Sequence, residues 1–211
     1  MEVKLVDLAA QYRSIKPEVD EAIAHVVERG QYVEGPEVEQ FEDAWARYCG
    51  AKHAVGVSSC SDALSLTLLY ARSQLGHEEV WTTPMSFWAT TEAALRAGLV
   101  VCYRDIDPSG CIFSPSPGIG ELRLPVNLYG YPAPIQHADK YVARTVEDAA
   151  QSHGVPLRGW AACHSFYPTK NLGAMGQAGA VVMNDPELAQ WVRMGRAHSE
   201  AVERFRHVGV T

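Results

Sequence analysis

The sequence lacks the features that mark several large classes of protein. It has no apolar run long enough to span a bilayer, and charged residues stand near its start, where a signal peptide would need an apolar stretch. The 18 basic residues are scattered among 25 acidic ones and form no cationic stripe, which disfavours DNA or RNA as a partner. We therefore expect a soluble, unprocessed protein with no membrane partner and no nucleic-acid partner.

Cysteine is also scarce, and the five cysteines show no paired short spacing. An odd number of widely spaced cysteines disfavours a disulfide framework and fits a reducing compartment, so we expect the cytoplasm. Cys163 and His164 are adjacent but lack the further ligands of a metal site, and we expect no metal. A Gly-rich nucleotide loop and a Gly-x-Ser-x-Gly elbow are missing as well.

The chain does have 211 residues, 47% of them hydrophobic, which is enough for one sizeable core. Short apolar stretches alternate with helical patterns from residue 53 onward. This alternation predicts an α/β fold with a mainly parallel central sheet and helices on both faces. The predicted strands are 53–58, 80–83, 99–103, 122–127, 141–147, 161–165 and 178–183, and the predicted helices are 62–71, 87–97 and 185–197.

Two amphipathic helices are predicted before the first strand. The first covers residues 14–28 behind a Ser14 cap, and the second runs from Pro36 to a stop at Gly50. Four residues share one side of the second helix and are expected in the core: Val38, Phe41, Trp45 and Tyr48. Residues 108–120, rich in proline and glycine, are expected to form a loop, and Pro125 should lie at a strand end or an unpaired position.

Residues just beyond strand ends are the first candidates for a site, because ligands of open parallel sheets gather at the carboxyl ends of the strands. Residues 58–62 lead from a strand into a helix and would aim free amides and hydroxyls at one point, where a phosphate could bind. The plainer alternative is that Ser61 only caps the helix.

Lys170 and Asp148 together indicate pyridoxal phosphate. A lysine amine can hold the aldehyde of this cofactor as a Schiff base, and a buried carboxylate can keep its ring nitrogen protonated. Gln151 could donate to the phenolic oxygen of the cofactor, and Trp88 could stack on its ring. Each has a plainer alternative, namely a surface lysine, a solvated loop carboxylate, a surface amide and a core tryptophan. The order of these residues along the chain favours one cofactor site.

Several motifs make the sequence resemble the DegT/DnrJ/EryC1/StrS family of sugar aminotransferases, from about Val3 to Gly209. The motifs are Gly35-Pro36-Glu37-Val38, His53-Ala54-Val55, Ser59-Cys60-Ser61-Asp62-Ala63-Leu64, Asp105-Ile106-Asp107-Pro108, Leu128-Tyr129-Gly130, Glu147-Asp148-Ala149-Ala150-Gln151-Ser152-His153-Gly154, Ser165-Phe166-Tyr167-Pro168-Thr169-Lys170-Asn171-Leu172 and Gly179-Ala180-Val181-Val182. The resemblance implies the large domain of a fold-type I pyridoxal-phosphate enzyme. It implies amination of nucleotide-linked keto-sugars, with glutamate as the usual amino donor, in a homodimer.

By this resemblance, each candidate residue receives a role. Lys170 forms the Schiff base and moves the proton between substrate and cofactor carbons. Asp148 pairs with the pyridinium, Gln151 bonds the ring oxygen and Trp88 stacks on the ring. Three residues hold the phosphate: Cys60, Ser61 and Ser165. His153 and His198 are further residues to watch, and His198 is expected at an exposed helix end.

The sequence also departs from the family pattern. Cys60 stands where the family has glycine, and Asn127 stands where a histidine commonly contacts substrate. The expected division is an N-terminal helical arm at residues 1–30, a cofactor-binding large domain at 31–198 and a truncated segment at 199–211, with the small C-terminal domain largely absent. Two alternative functions remain open. One is a non-catalytic or accessory protein of the same fold, and the other is a lyase or dehydratase that uses the same lysine.

Overall fold

The computed structural model describes residues 5–106, 120–135 and 144–197. Contacts divide the chain into two compact units, one that ends at Phe41 and one that begins at Glu42. Almost all of the predicted loop 108–120, His198 and the C-terminal segment 199–211 lie outside the described residues. In the part that is described, every helix is too short or too polar to cross a membrane.

The first unit contains helices α1, Leu8–Ser14, and α2, Lys16–Arg29, and neither buries a residue. The predicted Ser14 cap is wrong. Ser14 is still the last residue of α1, and its hydroxyl donates to the Gln11 carbonyl at 2.7 Å, so it is not free to cap the next helix. Ile15 precedes α2 without a side-chain cap, and Gly30, at φ 71°, ends that helix.

Helix α3, Pro36–Tyr48, ends before Gly50, whose φ of 64° is favourable for glycine, as predicted. Trp45 is buried as expected and contacts the rings of His164 and Phe166, at 5.2 and 5.0 Å between centroids. The prediction that Tyr48 is a core residue is wrong, because this side chain is 60% exposed. Tyr48 stacks on the outer side of Trp45, which separates it from the sheet.

Seven strands form one sheet in the order β1-β7-β6-β5-β4-β2-β3. Neighbours from β6 to β3 are parallel, which confirms the predicted mainly parallel sheet. Strand β7 runs antiparallel to both β6 and β1, which the sequence did not predict. The strands are β1 His53–Val57, β2 Glu79–Thr82, β3 Val100–Tyr103, β4 Leu122–Arg123, β5 Arg144–Asp148, β6 Ala161–Ser165 and β7 Gly179–Met183.

Three further helices cover the sheet: α4 Cys60–Leu75, α5 Trp88–Arg96 and α6 Pro186–Arg196. Leu64 and Leu68 of α4 are fully buried and belong to the same apolar core as Val181 of β7. Trp45 of α3 lies on the opposite face, against His164 of β6. Alternate β6 residues therefore meet α4 on one side and α3 on the other, and the predicted two-faced arrangement is confirmed.

Strand β4 is shorter than the predicted stretch 122–127, since ladder pairing stops at Arg123. Pro125 lies beyond the strand end, as expected for a residue without an N–H, and its carbonyl accepts from the Asp148 amide at 2.9 Å. Val126 bridges to Asp148 in the parallel sense. This irregular continuation keeps residues 125–127 beside the end of β5.

Candidate active site

A cavity of about 500 Å³ opens at the carboxyl ends of strands β1, β5 and β6. Six of the seven residues that the sequence singled out line it: Cys60, Ser61, Asp148, Gln151, Ser165 and Lys170. They come from the ends of β5 and β6 and from the N-terminus of α4, which follows β1, so the fold brings together residues up to 110 positions apart, from Cys60 to Lys170. The cavity therefore lies at the carboxyl ends of the strands, where ligands of open parallel sheets usually bind.

The turn between β1 and α4 presents the N-terminus of a sixteen-residue helix to the cavity. Ser59, not Ser61, is the cap, because its Oγ accepts from the Asp62 amide at 3.1 Å. The alternative in which Ser61 only caps the helix is therefore wrong. The amides of Cys60 and Ser61 belong to the first helical turn, which has no acceptors within the helix, and they are suited to an anion.

Cys60 is buried, and its thiol donates to the Cys163 carbonyl at 3.4 Å. Burial raises the pKa of this thiol well above its ordinary value, with smaller contributions from Asp148 and Cys163 and an opposing one from Lys170. The thiol is therefore neutral and bonded to the backbone of β6. Cys60 offers the cavity its amide, and the extra side chain at this position is accommodated in the core.

Strand β7 passes directly behind this turn at Gly179. A Cβ on Gly179 would lie 2.4 Å from the carbonyl carbon of Ser59 and 2.6 Å from the nitrogen of Cys60. Both are backbone atoms that cannot rotate away. Only glycine at this position lets the turn approach the sheet so closely.

Asp148 ends β5 and is only 5% exposed, so its alternative as a solvated loop carboxylate is wrong. One carboxylate oxygen accepts from the Thr90 hydroxyl at 2.7 Å, and the other accepts from the Ala150 amide at 3.1 Å. The Ser86 hydroxyl lies 2.6 Å from that of Thr90. Burial raises the pKa of Asp148, while Thr90, Ala150 and the charge of Lys170 act in the opposite direction.

Replacing Thr90 with valine should destabilise the cofactor-free protein by about 2 kcal/mol at pH 7, because a buried carboxylate loses a donor. Since burial raises the folded pKa of Asp148, stability falls as the pH rises from the ordinary pKa of an aspartate to the folded pKa. Thr90 offsets part of this loss. The difference from the wild type should therefore shrink at pH values below that pKa, which urea unfolding at several pH values would measure. Thr90→Ser, which keeps the hydroxyl, should retain most of the stability, and an equal cost at all pH values would contradict the assignment.

Gln151 and Ser165 line the cavity beside Asp148. The Oε1 of Gln151 accepts from the Tyr129 amide at 2.7 Å, which fixes the side chain and excludes the alternative of a plain surface amide. Ser165 is buried at the end of β6, and its Oγ accepts from the Tyr167 amide at 3.3 Å. Both side chains are thus held by backbone groups of loops that border the cavity.

Lys170 is half-buried in a tight turn after β6. Its amide donates to the Tyr167 carbonyl, and the Ala174 amide donates to the Phe166 carbonyl, both at 2.8 Å. A Cβ on Gly173 would lie 2.4 Å from the Pro168 carbonyl oxygen, so the turn needs glycine there. Lys170 is therefore held by a closed backbone structure and is not the surface lysine of the plainer alternative.

Trp88 is the one predicted site residue that is not among the described lining residues of the cavity. It is 63% exposed, so its alternative as a core tryptophan is wrong. Its neighbour Phe87, which precedes helix α5, lines the cavity instead. The sequence places both aromatic residues at the same helix start. Which of the two side chains lines the cavity is determined by the path of the chain between β2 and α5.

Asn127 lines the cavity, and its side chain makes three hydrogen bonds to other parts of the protein. Its amide donates to Glu147 at 3.0 Å, and its Oδ1 accepts from the Ala133 amide and from Arg158, at 2.8 and 3.1 Å. The carboxylate of Glu147 also accepts from the amides of Arg158 and Gly159, at 3.0 and 2.8 Å. Sequence reasoning missed this buried network, in which the Asn127 side chain supports the end of β5.

The described residues contain no group of histidine, cysteine and carboxylate side chains that could hold a metal ion. The four cysteines among them are free thiols.

Comparisons with known proteins point to one family. The model of the DegT/DnrJ/EryC1/StrS aminotransferase family matches residues 13–210. The chain is 39% identical to the dTDP-3-amino-3,4,6-trideoxy-alpha-D-glucose transaminase of Streptomyces venezuelae, over 97% of this chain and 58% of that protein. It is 34% identical to the UDP-2-acetamido-2-deoxy-3-oxo-D-glucuronate aminotransferase of Pseudomonas aeruginosa, over 99% of this chain and 62% of that protein.

The fold is also similar to solved structures. The S. venezuelae protein DesV, in complex with a ketimine intermediate, superposes with a TM-score of 0.80 at 37% identity, covering 91% of this chain and 56% of that one. The chain therefore spans less than two thirds of the length of these relatives. The family model covers every strand end that forms the cavity, and the chain belongs to the DegT/DnrJ/EryC1/StrS aminotransferase family.

Proposed function

We propose that the protein is a pyridoxal-phosphate-dependent aminotransferase that acts on a nucleotide-linked keto-sugar, with glutamate as amino donor. The observation that carries this proposal is one cavity that combines a buried carboxylate, a lysine amine and a helix N-terminus, from Asp148, Lys170 and α4. Pyridoxal phosphate, when bound, supplies an electron sink for the carbon that loses its proton.

The residues present fit this cofactor. The amides of Cys60 and Ser61 suit its phosphate, because a helix N-terminus favours an anion. Asp148 suits its ring nitrogen, since the Thr90 hydroxyl and the Ala150 amide favour the ionised carboxylate against burial. Gln151 and Ser165 are the further polar groups for the ring oxygen and the phosphate. For the ring face, the lining residue Phe87 is better placed than Trp88.

Lys170 is the group that would move protons. A neutral amine beside the cofactor can take a proton from one carbon and return it to another, so one residue serves as base and then as acid. The half-buried position and the closed turn around Lys170 limit the positions that this amine can take. Such restriction favours proton transfer between two fixed carbons.

The substrate class rests on the relatives, because the cavity geometry alone does not distinguish sugars. The relatives of 39% and 34% identity are named for dTDP-linked and UDP-linked sugars. Glutamate, a homodimer and a cytoplasmic location follow from the family resemblance and the free thiols, and we propose them on that basis. The Asn127 side chain is buried and bonded to Glu147, Ala133 and Arg158, and on that basis we place the sugar contact elsewhere in the site.

A spectrum tests the cofactor and the first half-reaction together. The purified protein with added pyridoxal phosphate should show the absorbance of a protein-bound Schiff base, and glutamate should convert it to the spectrum of the pyridoxamine form. A panel of dTDP-linked and UDP-linked keto-sugars should then restore the first spectrum. Absence of the first band would refute the proposal. A stable band that neither glutamate nor the sugars change would favour the accessory, non-catalytic alternative.

A further inference from the structure

His153 is not among the described lining residues of the cavity, and it bonds to the backbone at the start and at the end of the segment that carries Lys170. We define the lysine segment as residues 166–172. The Nε2 atom of His153 lies 2.9 Å from the carbonyl oxygen of Ser165, immediately before the segment. The Nδ1 atom lies 3.1 Å from the amide nitrogen of Leu172, its last residue. One imidazole therefore joins the beginning and the end of the segment.

These two contacts determine the proton on the ring. The Leu172 amide is a donor, so Nδ1 must be the bare, accepting nitrogen. The Ser165 carbonyl is an acceptor, so Nε2 must carry the hydrogen. Only the neutral Nε2–H tautomer satisfies both partners. An imidazolium would point a second N–H at the Leu172 amide and replace that hydrogen bond with a repulsion.

The surroundings of His153 favour the same neutral form. Its ring packs against Trp45, Phe166 and His164, with centroids 5.3, 5.4 and 5.9 Å away. Burial lowers the pKa of His153, the bond to Ser165 opposes this, and the charge of Lys170 lowers it further. His164 is also neutral, because burial lowers its pKa to about 3. The groups that face the imidazole are thus one lysine, one neutral histidine and two aromatic rings.

The other hydrogen bonds of the lysine segment lie before Leu172. At its start, the Phe166 amide donates to the Ala178 carbonyl at 2.8 Å and the Tyr167 amide donates to Ser165 Oγ at 3.3 Å. Within it, the backbone closes through the Tyr167 carbonyl and the Lys170 amide, and just beyond it the Ala174 amide bonds back to the Phe166 carbonyl. No other hydrogen bond described for the segment fixes the Leu172 amide. Loss of the His153 contact would release the residue two positions after Lys170.

We propose that His153 is a positioning residue for Lys170, which it holds in place by tying Leu172 to the end of β6. This inference rests on the proposed role of Lys170, but the hydrogen bond between the Leu172 amide and His153 exists without cofactor. Protonation of His153 should release Leu172 at acidic pH, while the neutral ring holds it at pH values above the pKa of His153.

Hydrogen exchange of the Leu172 amide in the cofactor-free protein measures directly how far the hydrogen bond to His153 protects this amide. Expressed relative to the intrinsic rate at each pH, protection in the wild type should fall by about tenfold between pH 7.5 and a pH below the pKa of His153, which burial lowers from its ordinary value. His153→Phe keeps a ring in the aromatic cluster and should lose that protection at both pH values. His153→Asn keeps an acceptor near the Nδ1 position and should restore protection that no longer depends on pH.

His164→Phe is the matched control. His164 belongs to the same ring cluster, and its two ring nitrogens have no hydrogen-bond partner in the described structure. This variant should keep the pH-dependent protection of Leu172. Equal protection in the wild type and His153→Phe would overturn the proposal, and so would a pH-dependent loss that persists in His153→Asn.

A second measurement tests whether the hydrogen bond between His153 and Leu172 affects the reactivity of Lys170. The rate at which Lys170 captures pyridoxal phosphate, followed by borohydride trapping at pH 7.5, should be several-fold lower in His153→Phe than in His153→Asn. Unchanged capture would overturn the positioning role even if exchange at Leu172 responds. If the wild type captures no cofactor at all while Leu172 behaves as described, the proposed function fails and the tie of His153 to Leu172 stands.

Discussion

Replacement of Lys170 with alanine should abolish covalent attachment of pyridoxal phosphate. Lys170 carries the amine that lines the cavity together with Asp148 and the N-terminus of α4. Borohydride reduction of the loaded wild type should add the mass of the cofactor to the chain at Lys170, and the variant should gain none. The half-reaction with glutamate should fall by at least about 10³-fold, because the same amine also transfers the proton.

Lys52→Ala is a suitable control, since Lys52 is exposed and is not among the described lining residues. It should retain both trapping and the half-reaction. Non-covalent cofactor should still bind to Lys170→Ala, because the amides of Cys60 and Ser61 and the carboxylate of Asp148 are unchanged. Trapped cofactor in Lys170→Ala at the wild-type level would show that another amine forms the bond.

Replacement of Gly179 with alanine should damage both stability and cofactor affinity. The added Cβ would overlap the backbone of Ser59 and Cys60, at 2.4 and 2.6 Å, so the turn must move away from β7. Movement of the turn displaces the Ser59 cap and the two amides that suit a phosphate. We expect a loss of about 3 kcal/mol in the free energy of unfolding and at least about tenfold weaker binding of pyridoxal phosphate.

Gly176→Ala provides the comparison, because a Cβ at Gly176 would meet nothing within 4 Å and lies on the same connection between β6 and β7. Its unfolding in urea should match the wild type within about 0.5 kcal/mol. If Gly179→Ala unfolded at the same urea concentration as Gly176→Ala, the close approach of the turn to β7 would not be a constraint in solution.

Most of the cavity could be predicted from the sequence, because strand ends are readable from local patterns. Asp148 and Lys170 each follow an apolar stretch, and a parallel sheet places such ends on one edge. The sequence did not predict Phe87 as a lining residue, because neighbouring residues at a helix start differ only in the direction in which their side chains point. That direction is set by the path from β2 into α5, which is a tertiary property.

Other differences have similar causes. Apolar periodicity shows that a stretch is a strand but does not give its direction, so the antiparallel β7 was not foreseen. Tyr48 follows the helical spacing of the core side of α3, yet it lies at the last position of the helix, where its ring packs on Trp45 and stays exposed. The engagement of Asn127 depends on Glu147 and Arg158, which are 20 and 31 positions away. Such long-range pairing has no local pattern.

The direction of β7 also has a consequence for how the site is assembled. Because β6 and β7 are antiparallel neighbours, the connection between Ser165 and Gly179 begins and ends at the same edge of the sheet. The two ends of this connection lie on adjacent strands, which are about 4.8 Å apart, and the connection does not cross to the far edge of the sheet. Contacts between strands so close in sequence have low contact order. The placement of Lys170 therefore depends on the local pairing of β6 with β7 and not on a connection that crosses the sheet.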